Sequence, residues 1–215
     1  MKLGMGKDNI VYFEQYIKKA KETESVDFNA IRRRLKDKQL LRLLHAGMGM
    51  ITETSELFVA IENMDLLNIQ EELGDLFWYI AIAYDSLNCI LEEEEDSLHS
   101  PFVPIRYWWA GTDDYKMEHM LMKKVGKYID VIKKHIYYGD DLNDLNVDII
   151  LNTLQDVFNN VCWIMGKFPC INLEGVLSDN IKKLDKRYKN KFNKEDALNR
   201  DVENELSHMN KGELD

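Results

Sequence analysis

Four acidic side chains form two pairs at helical spacing in the first half of the sequence: Glu53 with Glu56, and Glu72 with Asp75. Residues three apart share one face of a helix, where like charges repel by about 0.2–0.5 kcal/mol. Both pairs lie among apolar residues, so an antiparallel hairpin that buries those residues would bring the carboxylates together. A buried carboxylate takes up a proton or binds a cation, and hard oxygen donors suit Mg²⁺ or Mn²⁺. The pattern therefore predicts a divalent-metal site.

The neighbouring sequence supplies no lysine or arginine to neutralise these acids. Residues 46–105 contain 13 aspartate and glutamate residues and not one basic residue of either type. The acidic run at 92–96 accounts for some of this charge, and we interpret it as a solvated helix end. The alternative to a metal is that the paired acids contact bases from another segment, such as Arg32 to Arg34.

The rest of the sequence predicts an all-α fold. Apolar residues recur every three or four positions, and only three prolines and 11 glycines occur in 215 residues. Pro101 and Pro104 indicate a connector between two halves. We expect the fourth helix to be capped by Asn68 and Glu71. The predicted helices span residues 8–23, 27–38, 39–63, 68–91, 112–137, 147–166, 172–188 and 194–208.

Three stretches of the sequence together resemble the MazG-like superfamily of all-α nucleoside triphosphate pyrophosphohydrolases, which is related to the dimeric dUTPases. The first is ExxE followed, after 15 residues, by ExxD. The second is the surrounding sequence, LLHAGMGMITETSELF and EELGDLFWYIAI. The third is the C-terminal NIKKLDKRYKNKFNKEDALNRDVENE, which resembles the tail of small members often encoded by phages. The resemblance covers residues 41–88 and 180–205.

The resemblance implies a helical bundle built from two hairpins, and an enzyme that cleaves the α–β phosphate bond of a (d)NTP. The products would be a (d)NMP and pyrophosphate, with Mg²⁺ as the cofactor and Mn²⁺ as an alternative. By motif match, the metal ligands and catalytic residues would be Glu53, Glu56, Glu72 and Asp75.

Several other residues are candidates for substrate binding. Asn180, Lys183 and Arg187 share one helix face in the C-terminal match and could reach a triphosphate, although a solvated basic helix would show the same pattern. Aromatic side chains suit a nucleobase, but aromatic residues at helical spacing are more often part of a core. The remaining candidates are Lys133 and Lys134 for phosphate and Trp78 for the base.

The second half of the chain departs from the family pattern. It repeats the spacing from Gly49 to Glu53 in Gly126 and Asp130, and LGDLFWYIA finds an echo in LQDVFNNVC. Residues such as Lys133 occupy positions where acids would be needed. We interpret the chain as one domain over 1–215, with a catalytic half at about 27–96, an eroded second copy at about 106–170 and C-terminal substrate-binding helices at about 172–208. The alternative is that two helical hairpins merely look alike.

Composition excludes some classes of function. A net charge of −10 argues against binding to nucleic acid. The sequence has no signal-peptide pattern or membrane-length apolar run, and its three cysteines form no CxxC pair. We expect a cytoplasmic protein (host cytoplasm if it is phage-encoded) with a nucleotide substrate. A homodimer is expected, or a monomer if the duplication completes the site.

Three readings of the function remain open at this stage. The first is the pyrophosphohydrolase, acting on a (d)NTP or on a signalling nucleotide. The second is a non-catalytic nucleotide sensor or interaction protein on the same scaffold, although a pure binder would not need all four acids. The third is a structural bundle with an acidic face for a basic partner. The sequence does not select the base or the sugar of the nucleotide.

Overall fold

The computed structural model of the chain describes residues 7–24, 27–93, 114–139 and 146–188, and these form seven α-helices without a β-strand. The all-α prediction is therefore confirmed. The predicted helix at 194–208 and the connector at Pro101 and Pro104 lie outside the described residues. The helices are α1 (Lys7–Thr23), α2 (Phe28–Arg34), α3 (Lys38–Glu62), α4 (Leu66–Glu93), α5 (Asp114–Tyr138), α6 (Val147–Met165) and α7 (Leu173–Tyr188).

Short polar side chains begin several of these helices by binding first-turn amides that have no partner within the helix. Asp27 accepts hydrogen bonds from two amides at the start of α2, and Asp37 accepts one from Leu40 N (2.7 Å) at the start of α3. Asn146 caps α6 in the same way. The helix boundaries thus follow from local chemistry that the sequence contains.

The cap predicted for α4 is wrong. The helix begins at Leu66, two residues earlier than expected, and Asp65 Oδ1 accepts the hydrogen bond from Asn68 N (3.2 Å). Glu71 is buried inside the helix and pairs with Lys183 rather than reaching back to the first turn. Asp65 can take the capping role because Met64, at φ 53°, reverses the chain just before it.

Two helical hairpins form the body of the molecule. Helices α3 and α4 pack along each other, as do α5 and α6, and the second hairpin lies against the first through α3–α5 and α4–α6 contacts. Leu57, Leu76, Tyr128 and Val157, one from each of these helices, are fully buried in the shared core. Helix α7 packs on α4. Each hairpin alone would leave one apolar face in water, so burial drives their association.

The structure does not confirm an internal duplication. The second hairpin does carry polar residues at the positions compared above, but each has a local partner. Asp130 pairs with Lys133 (2.6 Å), Asp156 pairs with Lys124 (2.5 Å), and Thr153 Oγ1 donates to the Ile149 carbonyl. No group of three or more potential metal ligands forms among the described residues of this hairpin. The proposed division of the chain into catalytic, eroded and substrate-binding parts stays a prediction.

Two further features concern the surface of the molecule. Helix α1 exposes a stripe of large side chains, with Tyr12 78% and Tyr16 65% exposed. None of the helices in the described part of the chain is both long and apolar enough to span a membrane.

Candidate metal centre

The four predicted acids face one another because the hairpin places them symmetrically about its turn. Glu56 lies six residues before the end of α3, and Glu72 lies six residues after the start of α4. Glu53 and Asp75 are each nine residues from the same ends. At 1.5 Å per residue, the first pair is about 9 Å and the second about 13 Å from the turn. The 15-residue spacing in the sequence is thus the length of hairpin that brings the pairs level.

Three of the four acids form a compact cluster. Glu53, Glu56 and Glu72 each offer a carboxylate oxygen within 4.8 Å of the others. Glu72 is buried, Glu53 is half-buried and Glu56 is exposed, so the cluster extends from the helix interface to solvent. Thr52 Oγ1 donates a hydrogen bond to Glu53 Oε1 (3.1 Å) and so helps to orient it. Opposite ligands of a bound Mg²⁺ lie about 4 Å apart, so the donor set fits a divalent ion with little adjustment.

The protonation of this cluster shows how much negative charge it holds. Burial, followed by a hydrogen bond to Glu53 and the charge of that carboxylate, raises the pKa of Glu72 from its ordinary 4.5 to about 9. Burial and the charge of Asp75 also raise the pKa of Glu53. Without a cation, Glu72 therefore holds a proton that it donates to Glu53 at neutral pH. A divalent ion would replace this proton.

The fourth acid, Asp75, has a different environment. Both of its carboxylate oxygens lie 2.6 Å from Lys183 Nζ, and Asn180 Nδ2 donates to Oδ1, also at 2.6 Å. Lys183 also contacts Glu71 Oε1 at 3.3 Å. Two residues predicted to bind substrate are thus buried against α4, and Lys183, with no exposed surface, does not face a triphosphate.

A tyrosine that the sequence analysis did not select lies beside the cluster. Tyr79 is one turn after Asp75, and its ring packs on Gly49, one turn before Glu53. Burial raises its pKa to about 12, and the negative charges of Glu53 and Asp75 contribute to the shift. The signal available in the sequence was spacing: a residue four after Asp75 shares its helix face.

The other predicted contacts lie at different distances from the cluster. Trp78 is half-buried and meets the Tyr79 ring edge-on, with centroids 4.9 Å apart, while the exposed His45 lies edge-on to Tyr79 at 5.5 Å. Arg187 is partly exposed one turn beyond Lys183, with its guanidinium carbon 5.6 Å from the centroid of the Tyr188 ring. Its positive charge acts on Tyr79. Arg187 therefore lies on the side of Tyr79 that adjoins the acids.

Lys133 and Lys134 are not brought to the cluster. Both pair with Asp130, and the hydrogen bond from Lys133 is the largest cause that lowers the pKa of Asp130 to about 2. Tyr128 on the same helix donates to the Leu43 carbonyl, and Arg34 donates to the Ile136 carbonyl, so α5 runs antiparallel to α3. This register leaves the two lysines about 20 Å along the bundle from Glu53.

Comparison with known proteins bears on the same hairpin. Residues 44–93 match the family model of the MazG nucleotide pyrophosphohydrolase domain. This segment contains α4 and most of α3, including all four acids. No curated protein and no solved structure matches the chain. The predicted MazG-like resemblance is confirmed over the matched segment, and the particular similarity to small phage-type members stays a prediction.

Proposed function

We propose that this MazG-like chain is a divalent-metal-dependent nucleotide pyrophosphohydrolase that converts a (d)NTP and water into a (d)NMP and pyrophosphate. The family match supports nucleotide pyrophosphohydrolase activity in general. The observation that carries the more specific proposal is the group of three glutamates, Glu53, Glu56 and Glu72, at the centre of the matched hairpin. In the described part of the chain, none of the three has a lysine or arginine within ion-pair distance.

The chemistry of the donor set supports Mg²⁺ or Mn²⁺ as the cofactor. All three donors are carboxylate oxygens, which hard divalent ions prefer, and no thiol or imidazole belongs to the group. A bound divalent ion would polarise the phosphoryl oxygens and lower the pKa of the attacking water. Glu56 carries the exposed end of the group and would meet the ion from the solvent side.

The substrate would be bound by side chains around the open side of the cluster. Arg187 is the proposed phosphate contact, because it is the partly exposed cation of the α7 face that contains Asn180 and Lys183. A planar guanidinium can bind two phosphate oxygens at once. Trp78 is the proposed contact for the base, beside Tyr79. An Arg187→Gln variant should raise KM more than it lowers kcat if phosphate binding is its main role.

A homodimer remains a proposal that is separate from the chemistry. The four packed helices come from one chain, so a second copy is not needed to bring the acids together. The exposed aromatic stripe of α1, with Tyr12, Phe13 and Tyr16, supports association with a second copy. Light scattering of the full chain, compared with a Tyr12→Ser/Tyr16→Ser variant, tests it: a wild-type monomer contradicts the dimer.

The reaction is tested by measuring pyrophosphate release from a panel of canonical and modified (d)NTPs, each with Mg²⁺ and with EDTA. We expect metal-dependent release of pyrophosphate and the matching monophosphate from one or a few members. Release of orthophosphate alone would contradict cleavage between the α and β phosphates. If folded, metal-supplied protein is silent on the whole panel and on signalling nucleotides, the enzyme proposal is wrong.

A further inference from the structure

A fully buried lysine stands at the side of the acid cluster. Lys183 has no exposed side-chain surface, and its Nζ contacts three carboxylate oxygens, two of Asp75 and one of Glu71. A buried ammonium group is costly unless it is paired and hydrogen-bonded. An ammonium has three donors, so these three acceptors satisfy it. Lys183 is therefore an internal counter-ion rather than a surface base.

The same contacts divide the five acids of the hairpin into two groups. Asp75 and Glu71 are neutralised by Lys183, and Asn180 adds a hydrogen bond to Asp75 at 2.6 Å. Every oxygen of the Asp75 carboxylate already has a close donor. The three clustered glutamates have no such cation among the described residues, and Asp75 is not part of their group. The protein thus supplies one cation to one side of the cluster and leaves the other side without one.

We infer that Lys183 is a positioning residue that keeps Asp75 out of the ligand set of the substrate-free site, so that the first divalent ion is held by Glu53, Glu56 and Glu72 alone. This inference rests on the proposed function only in taking the cluster to be a metal site. Three carboxylates occupy three positions of an octahedral ion and leave the others for water and substrate oxygens. Asp75 instead acts through Lys183 and Asn180, anchoring α7 to α4.

The anchoring has a consequence for the substrate side. Arg187 follows Lys183 by four residues and lies on the same face of α7. Fixing Lys183 between Asp75 and Glu71 therefore also fixes the turn that presents Arg187 beside Tyr79. Loss of the anchor should affect KM through Arg187 in addition to its effect on the ion.

The experiment measures Mn²⁺ binding to the full chain without substrate, by the electron paramagnetic resonance signal of free Mn²⁺. Asp75→Asn and Glu56→Gln are a matched pair, because each replaces one carboxylate by an amide of the same shape. We expect Asp75→Asn to keep Kd within about threefold of the wild type, and Glu56→Gln to weaken binding by about tenfold or more. Equal weakening by the two variants would overturn the inference.

A second pair of variants tests the lysine itself. Lys183→Gln removes the cation and frees Asp75, so we expect Mn²⁺ to bind at least about threefold more tightly, or a second ion to appear. A folded Lys183→Gln protein with unchanged Mn²⁺ affinity and stoichiometry contradicts the proposed role. If this variant unfolds, Lys183→Met/Asp75→Asn, which removes both charges, should fold and bind one ion with wild-type affinity. Failure of that double variant to bind Mn²⁺ also overturns the inference.

Metal binding is read here without turnover, so the inference and the enzyme proposal fail in different ways. Wild-type protein that binds Mn²⁺ but loses it in Asp75→Asn contradicts only the division of the acids. Wild-type protein that binds no Mn²⁺ contradicts both.

Discussion

The ring of Tyr79 packs so closely on Gly49 that a Cβ atom on the glycine would lie 2.2 Å from two of its ring carbons. No side chain can share that space, so Gly49 sets the distance between α3 and α4 one turn from Glu53. The close approach of the two helices, and with it the spacing of the acids, depends on a missing side chain.

Substitution of Gly49 by alanine should therefore destabilise the protein. The added methyl group must displace the Tyr79 ring, and overpacking of this kind costs about 1–3 kcal/mol. The matched control is Gly126→Ala, since a Cβ there meets nothing within 4 Å in the middle of α5. Alanine in an open helical position stabilises by about 0.5–1 kcal/mol relative to glycine. Urea unfolding of both variants measures the difference, and equal effects would contradict the packing argument.

Removal of one clustered carboxylate should abolish turnover without unfolding the protein. Glu56 is exposed, so Glu56→Gln changes no core contact, and we expect kcat/KM to fall on the order of 100-fold or more. The helical circular dichroism signal should be unchanged. Glu62→Gln is the control, because Glu62 is an exposed acid at the end of the same helix, outside the cluster. Activity of the Glu56 variant close to that of the Glu62 variant would remove the central claim.

The stability of the metal-free protein should depend on pH through Glu72. A carboxyl group with a higher pKa in the folded state stabilises the fold below its unfolded pKa, near 4.5, and loses that contribution as pH rises toward about 9. In EDTA, wild type should therefore lose stability relative to Glu72→Gln between pH 5 and 9. Thermal unfolding of both proteins across this range measures it. Curves that stay parallel would show that Glu72 titrates normally.

A divalent ion should reverse this pH dependence. The ion replaces the proton that Glu72 shares with Glu53, so binding releases a proton and strengthens as pH rises. Saturating Mg²⁺ or Mn²⁺ should raise Tm by a larger amount at pH 8 than at pH 6. Glu72→Gln should reduce the increase at both values. An increase in Tm that is the same at both pH values, or that the variant retains in full, would place the ion elsewhere.

The helices could be predicted because their signals are local. The apolar periodicity gave the first seven predicted helices with ends within a few residues of those observed. The error at the start of α4 arose because Asn68 and Asp65 are both good caps, and the choice between them depends on the reversed backbone at Met64. A turn conformation of that kind is not encoded in residue type alone.

The sequence by itself determined which residues carry the chemistry on the hairpin. Carboxylates three residues apart on two apolar helices, with 15 residues between the pairs, leave few arrangements in which the acids do not meet. Only the tertiary structure decided how these acids are divided. Lys183 is 108 residues from Asp75 in the sequence, and its role follows from the packing of α7 on α4. A lysine on an amphipathic helix has the same pattern whether it faces water or an acid, so burial, a property of the assembled fold, made the distinction.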